Sequence, residues 1–193
     1  MLPKSVQTPR LRELQDIATK AEASDLAGWP QPRKEDFILI GGIIVLYSYI
    51  DLDLRRIAEA ADVAKVLKSS WTGKMPNLTF ADLEKAILSL PDWSDPNLYA
   101  LNQITEMRAV RNLCAHFAVR RFPNDEAFIF ITKSNRDYRR YFGSDPEPGA
   151  IMTAIVEVDQ LKGALKHIEG LHTWLSKTAP RLEGIFLPRS KPA

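Results

Sequence analysis

Apolar residues recur along most of this chain at the three-to-four-residue step of an α-helix. Leu11, Leu14, Ile17, Ala18 and Ala21 predict an N-terminal amphipathic helix over 9–27. Gly28-Trp29-Pro30-Gln31-Pro32 closes it, because proline disfavours helix at the residue before it. A second helix is expected from Lys34 to about Val66, with Ile43, Leu46, Ile50, Leu54, Ile57 and Ala61 as its core stripe. Gly41-Gly42 within it would let a neighbour approach closely. Gly73 to Pro76 reads as a turn, and Thr79 with Asp82 as a cap opening a short helix to about Leu90. Asp95-Pro96 supplies an N-cap with proline in the first turn of a long helix to about Val119, completing a core bundle over 34–119.

The period then changes from helical to alternating. Ala127 to Thr132 is rich in β-formers, Lys133 to Asp137 is turn-like, and Tyr138 to Phe142 reads as a returning strand. Met152 to Val158 is β-branched enough for a third strand, so the sheet is expected over about 127–158. Asp159 is placed to cap a last helix over 159–178, with Leu161, Leu165, Ile168, Leu171, Trp174 and Leu175 on one face, and the tail at 188–193 is expected to fray. The fold class is therefore mainly α (α+β). It is an antiparallel bundle of about five helices with a small antiparallel sheet inserted before the last helix, in a single domain over 1–193.

Composition narrows the chemistry. At 193 residues and 45% hydrophobic the chain has enough apolar material for a real core, and its net charge of +2 argues neither for nor against a nucleic-acid partner. A lone cysteine, Cys114, excludes an internal disulfide framework and fits a reducing, cytoplasmic setting. No secretory signal follows Met1, and the apolar run from Phe37 to Ile50 falls short of the roughly 20 residues of a membrane span, so a buried helix is expected there and no membrane association. There is no Gly-rich phosphate loop and no nucleophile elbow. His116, His167 and His172 form no recognisable metal set, so no cofactor is expected.

The stretch that carries chemistry is Arg111-Asn112-Leu113-Cys114-Ala115-His116. Arginine holds a phosphate through a bidentate fork, and histidine is the side chain that most readily exchanges a proton near neutrality. On a helical wheel Arg111 falls at the edge of the apolar sector formed by Ile104, Met107, Val110, Leu113, Cys114, Phe117 and Ala118, while Asn112 and His116 lie on the polar side. An arginine at a core edge needs a partner, since an unpaired buried charge costs several kcal/mol. Asp51 and Asp53 on the second helix are the candidates, Asp53 facing the core more directly. Between Arg108 and Arg140 eight Lys/Arg (Arg108, Arg111, Arg120, Arg121, Lys133, Arg136, Arg139, Arg140) stand against Asp125, Glu126 and Asp137. Beside Tyr138, Tyr141 and Phe142, that local excess suits phosphate contact with base stacking.

Arg-Asn-x-x-Ala-His near the end of a long helix resembles the signature of the HEPN superfamily, and the preceding Tyr47-Ser48-Tyr49-Ile50-Asp51-Leu52-Asp53-Leu54-Arg55-Arg56 resembles that bundle's partner helix. The resemblance extends over roughly 34–177. It implies a metal-independent ribonuclease, a toxin or phage-defence effector, with a composite site at a homodimer interface and a separate antitoxin protein as a possible partner. Arg111, Asn112 and His116 would then be the catalytic residues, Asp53 and Asp51 their supports, and Arg108, Arg120, Arg121, Arg139 and Arg140 the RNA contacts. Phe117-Ala118 departs from the His-x-Tyr ending of one subgroup, which puts an antitoxin acting on such a tyrosine in doubt. Two alternatives stand beside the nuclease: a non-catalytic dimeric module binding a partner, nucleotide or RNA, and a helical transcriptional regulator.

Overall fold

A computed structural model describes residues 8–21, 23–67, 83, 85, 87, 99–142, 144–145 and 151–187. The chain is mostly helical, with a three-stranded antiparallel sheet before the last helix. In order, the elements are α1 (Pro9–Lys20), α2 (Ala23–Gly28), α3 (Lys34–Val63), α4 (Tyr99–His116), β1 (Ala118–Arg121), β2 (Ala127–Thr132), α5 (Asn135–Phe142), β3 (Met152–Glu157) and α6 (Val158–Phe186). The turn at 73–76, the Thr79–Asp82 cap, the Asp95–Pro96 cap and the tail from Pro188 lie outside the described residues. Leu83 and Ile87, where the short helix was expected, are helical and buried one turn apart.

Two compact units divide the chain: 1–45 with 106–167, and 46–105 with 168–193. The first is built on the sheet, whose order is β1-β2-β3. Ala118 pairs with Ile131 and Arg121 with Phe128 on one side of β2, and Ala127 pairs with Glu157 and Thr132 with Met152 on the other. Alternation then splits β2 between two faces. Ala127, Ile129 and Ile131 pack with Leu14 and Ala18 of α1, Leu26 of α2, Phe122 and Ile155. Phe128 and Phe130 point the other way, edge-to-face at 6.1 Å and fully buried. β1 is shielded on its open edge, where the Arg121 N–H donates to the Pro30 carbonyl at 2.9 Å. In the second unit, Tyr47 is completely buried and its hydroxyl donates to the Ile104 carbonyl at 2.9 Å, which satisfies the phenol inside an apolar core.

Several boundaries depart from the sequence pattern for identifiable reasons. The N-terminal helix breaks at Ala21, whose backbone is extended, and α2 resumes two residues later. Ile17, one of the helically spaced apolar residues of the first helix, is 44% exposed. α3 ends at Val63 instead of Val66. Lys65 takes a left-handed φ of 57°, its N–H donates to the Asp62 carbonyl and the Val66 N–H to the Ala61 carbonyl, a Schellman ending without its usual glycine. Of the glycine pair, only Gly42 has a close neighbour, Leu165 at 3.4 Å from where a Cβ would sit.

The residues from Tyr138 to Phe142 are helix, not strand. Ser134 caps α5, its Oγ accepting from the Asp137 N–H at 3.3 Å and its carbonyl from the Tyr138 N–H. The third strand is instead Ala118–Arg121, expected to be the end of the preceding helix. α6 begins at Val158, with the Gln160 side chain reaching back to the Glu157 N–H at 3.2 Å, and it runs through Pro180 to Phe186. Asp159 lies in its first turn, where a carboxylate suits the helix dipole.

Candidate functional site

The end of α4 holds the motif, and the local pattern fixes how its residues stand. Val110, Leu113 and Cys114 are buried, which anchors the last two turns and leaves Arg111 and Asn112 half-buried and His116 exposed. The final helical hydrogen bond runs from the Phe117 N–H to the Leu113 carbonyl at 3.2 Å. Phe117 is itself 7% exposed, and β1 begins at the next residue. His116 is therefore pinned between a helix anchored below it and a strand that starts two residues on.

Arg111 donates from Nη1 to Asn112 Oδ1 at 3.1 Å. Its Nε is buried and meets no acceptor among the described residues, leaving a charged group with an unmet donor. Guanidinium donors in that condition attract an oxyanion, which offers them charge and acceptor together. Arg111 and His116 are five residues apart, so their side chains diverge by about 140° around α4 and about 7.5 Å along it. Asn112 and His116 lie one turn apart on a common face. Cys114, inside the motif, turns into the core, and burial pushes its thiol up to about 12. It is structural.

Asp51 and Asp53 belong to the second unit. Asp53 is 9% exposed, and its Oδ1 accepts from Arg56 Nη1 at 3.1 Å, while Arg56 Nη2 reaches Glu183 at 2.8 Å. Its carboxylate is thus engaged by Arg56, one turn along its own helix. Asp51 is half-buried.

The basic residues separate into different groups. Arg121 is not an RNA contact: it is 3% exposed, with Nη1 on Asp36 at 2.7 Å, Nη2 on Glu126 at 2.5 Å and Cζ 5.4 Å from the centre of the Phe128 ring. Asp36 is the residue the sequence reading missed. It sits in the first turn of α3, where one oxygen accepts from the Arg33 N–H at 2.7 Å and the other from Arg121. An acid three residues after a helix start is a recognisable capping signal, but nothing in the spacing indicates its distant arginine. Arg120 is half-buried, donating to Gln31 Oε1 and the Val119 carbonyl, with its Nε unmet among the described residues. Arg108 is half-buried, Lys133 and Arg136 are exposed, and Arg139 is exposed and ion-paired with Asp145. The side chains of Arg140, Tyr141 and Phe142 lie outside the described set.

Among the described residues no three His, Cys, Asp or Glu side chains converge as a metal site. Two cavities of about 560 and 430 Å³ open on the first unit, one walled by Gln15, Asp16, Thr19 and Thr153, the other by Arg10, Asp125, Glu126, Glu157 and Asp159. Neither of these two is lined by Arg111, Asn112 or His116. The chain matches no family model, no curated protein and no solved structure.

Proposed function

We propose that this chain is a metal-independent RNA endonuclease of the HEPN type, a cytoplasmic toxin or phage-defence effector that works as a homodimer. The observation that carries the reading is the half-buried Arg111 guanidinium, steered by Asn112 and left with an unmet Nε donor, on the same helix end as an exposed His116.

The chemistry follows from the groups. The RNA 2′-hydroxyl attacks the adjacent phosphorus, the bond to the 5′-oxygen breaks, and negative charge builds on the phosphoryl oxygens. Arg111 stabilises that charge. His116 takes the proton from the 2′-hydroxyl or gives one to the leaving 5′-oxygen, a role worth about 10²–10⁴-fold. Asn112 orients the guanidinium. The products carry 2′,3′-cyclic phosphate and 5′-hydroxyl ends. Because Arg111 and His116 diverge on one helix, a two-fold axis that brings two motifs together gives each cleavage site an arginine from one copy and a histidine from the other.

The test is cleavage of total RNA, with EDTA present, by wild type, Arg111→Ala and His116→Ala, beside growth on induction. Wild-type cleavage that both substitutions abolish while the fold persists supports the nuclease. Cleavage that EDTA removes counts against it. The second reading, an RNA-binding module that does not cut, predicts wild-type binding, weakened in Arg111→Ala, without cleavage products.

A further inference from the structure

The sheet of the first unit has two edges, and they differ. β1 carries two arginines, and the Arg121 N–H on its outer side donates to the Pro30 carbonyl. β3 ends the sheet on the other side, with no strand beyond it among the described residues. The Val158 N–H donates to the Glu126 carbonyl at 2.9 Å, one step past the pairing of Ala127 with Glu157. Backbone groups alternate sides along a strand, so Met152, Ala154 and Val156 turn theirs to β2, and Thr153, Ile155 and Glu157 turn theirs outward. The Glu157 N–H is taken by the Gln160 side chain at 3.2 Å. The N–H and C=O of Thr153 and Ile155 meet no partner among the described residues. Proline or lysine commonly blunts an edge of this kind, and β3 contains neither. Alongside it opens the cavity of about 560 Å³, walled by Gln15, Asp16 and Thr19 of α1, Leu26 of α2, and Thr153 and Ile155. The second cavity lies at the Glu157 end, where Asp125 and Asp159 also stand. Arg10 pairs with Asp125 and Lys162 with Asp159, whereas Glu157 and Asp16 have no ion pair among the described residues.

Exposed apolar side chains alone specify no occupant; Phe37 and Ile38, on the helix expected to be buried, are 57 and 66% exposed without indicating one. A free strand edge does, because its donors and acceptors match extended backbone. We propose that β3 takes up an extended segment of another protein as a fourth strand, antiparallel, with lysine or arginine opposite Glu157 and aliphatic residues opposite Ile155 and Thr153. Residues opposite one another in a ladder share a face. The two segment residues that bond to Ile155 and Thr153 therefore also send their side chains toward α1 and the larger cavity, where Ala18 and Leu26 supply apolar wall. The basic residue, at the N-terminal end of the segment, answers Glu157 and fixes direction. Six residues span β3, about 20 Å at 3.3 Å per residue. Nucleic acid would set its phosphates against Glu157 and Asp16, and a second β3 would bring no lysine or arginine to meet Glu157. The proposal makes no use of Arg111, Asn112 or His116 and stands apart from the nuclease reading.

Fluorescence anisotropy of the full chain with the labelled peptide Lys-Thr-Val-Thr-Val-Thr tests it. Saturable binding is expected. N-methylation of either valine, whose N–H would face β3, should abolish it, and N-methylation of the threonine between them, whose N–H would face away, should leave it intact. Glutamate in place of the peptide lysine should weaken binding about tenfold, and Glu157→Lys should reverse that preference. Thr153→Pro removes one outward donor at an edge position where proline is tolerated, and should weaken binding about tenfold with the far-ultraviolet spectrum unchanged. Hydrogen exchange should slow at the Thr153 and Ile155 amides when peptide is added. No binding at millimolar peptide, equal loss from all three methylations, or indifference to the end charge overturns the proposal. So does self-association of the wild type that Thr153→Pro abolishes, which would give the edge to a second copy.

Discussion

Arg111 shows how much one side chain depends on its geometry. Its fork is turned by Asn112, and a lysine in its place keeps the charge but loses the planar pair of donors. Arg111→Lys is therefore expected to lower RNA cleavage by about 10²–10³-fold, the scale of removing one oriented donor, with the far-ultraviolet spectrum unchanged. Two residues from His116 stands a side chain of opposite character. Cys114 is buried and its thiol is held at about 12, so it should resist a disulfide-exchange reagent at pH 8 in the native protein and react once urea unfolds the chain. Fast native reaction would show that the end of α4 opens. The half-buried setting of Arg111 and the exposure of His116 were readable from the helical wheel. Asp36 and Arg121 were not, because 85 residues separate them and a polar residue at a helix start or strand end gives no sign of burial.

Among the elements, the long helices were legible because each repeats its apolar step many times. The errors fell on short segments. Ala118–Arg121 has four residues, two of them arginines, and becomes a strand only because Ile129, Phe130 and Ile131 lie across from it. Asn135–Phe142 sets Tyr138, Tyr141 and Phe142 at the three- and four-residue step of a helix, and one serine at its start supplies the cap. The end of α3 offers a direct measurement at this scale. Lys65 closes the helix in a left-handed conformation that costs a side chain about 1 kcal/mol and glycine almost nothing. Lys65→Gly is expected to raise stability by about that amount, read as a shift in the urea midpoint at constant slope. No gain would mean that the ending relaxes in solution.

At the scale of the molecule, the charge cluster of Arg121, Asp36 and Glu126 ties β1, the start of α3 and the β1–β2 turn together inside the first unit. Arg121→Ala leaves Asp36, only 2% exposed, as an uncompensated buried charge, and is expected to cost about 3–5 kcal/mol in thermal or urea unfolding. A loss under about 1 kcal/mol would mean that water reaches the aspartate. The cluster also sets a pH response. Hydrogen bonding and charge from Arg121 hold the Glu126 carboxyl below its ordinary value of 4.5. A depressed carboxylate contributes stability that is fully present above its unfolded value and is lost as pH falls through the folded one. Glu126→Gln should therefore flatten the fall in melting temperature below about pH 4.5 and change little at pH 7. An unchanged acid limb would place the sensitivity on other carboxylates.

The junction at Phe117 has a further consequence, for descent. Between Arg111 and Thr132 the chain passes from helix to strand to hairpin with a single residue at the first join. A one-residue insertion between Arg111 and His116 turns His116 by about 100° relative to Arg111, and one absorbed in β1 moves Arg121 to the opposite face of the sheet. Either result removes the motif or the buried pair of Arg121 with Asp36. Homologous sequences are thus expected to vary freely in identity through this stretch but never in length, except at 123–125 in the exposed turn. An alignment, or a scan of single-residue insertions scored for soluble yield, reads that constraint as a window without gaps.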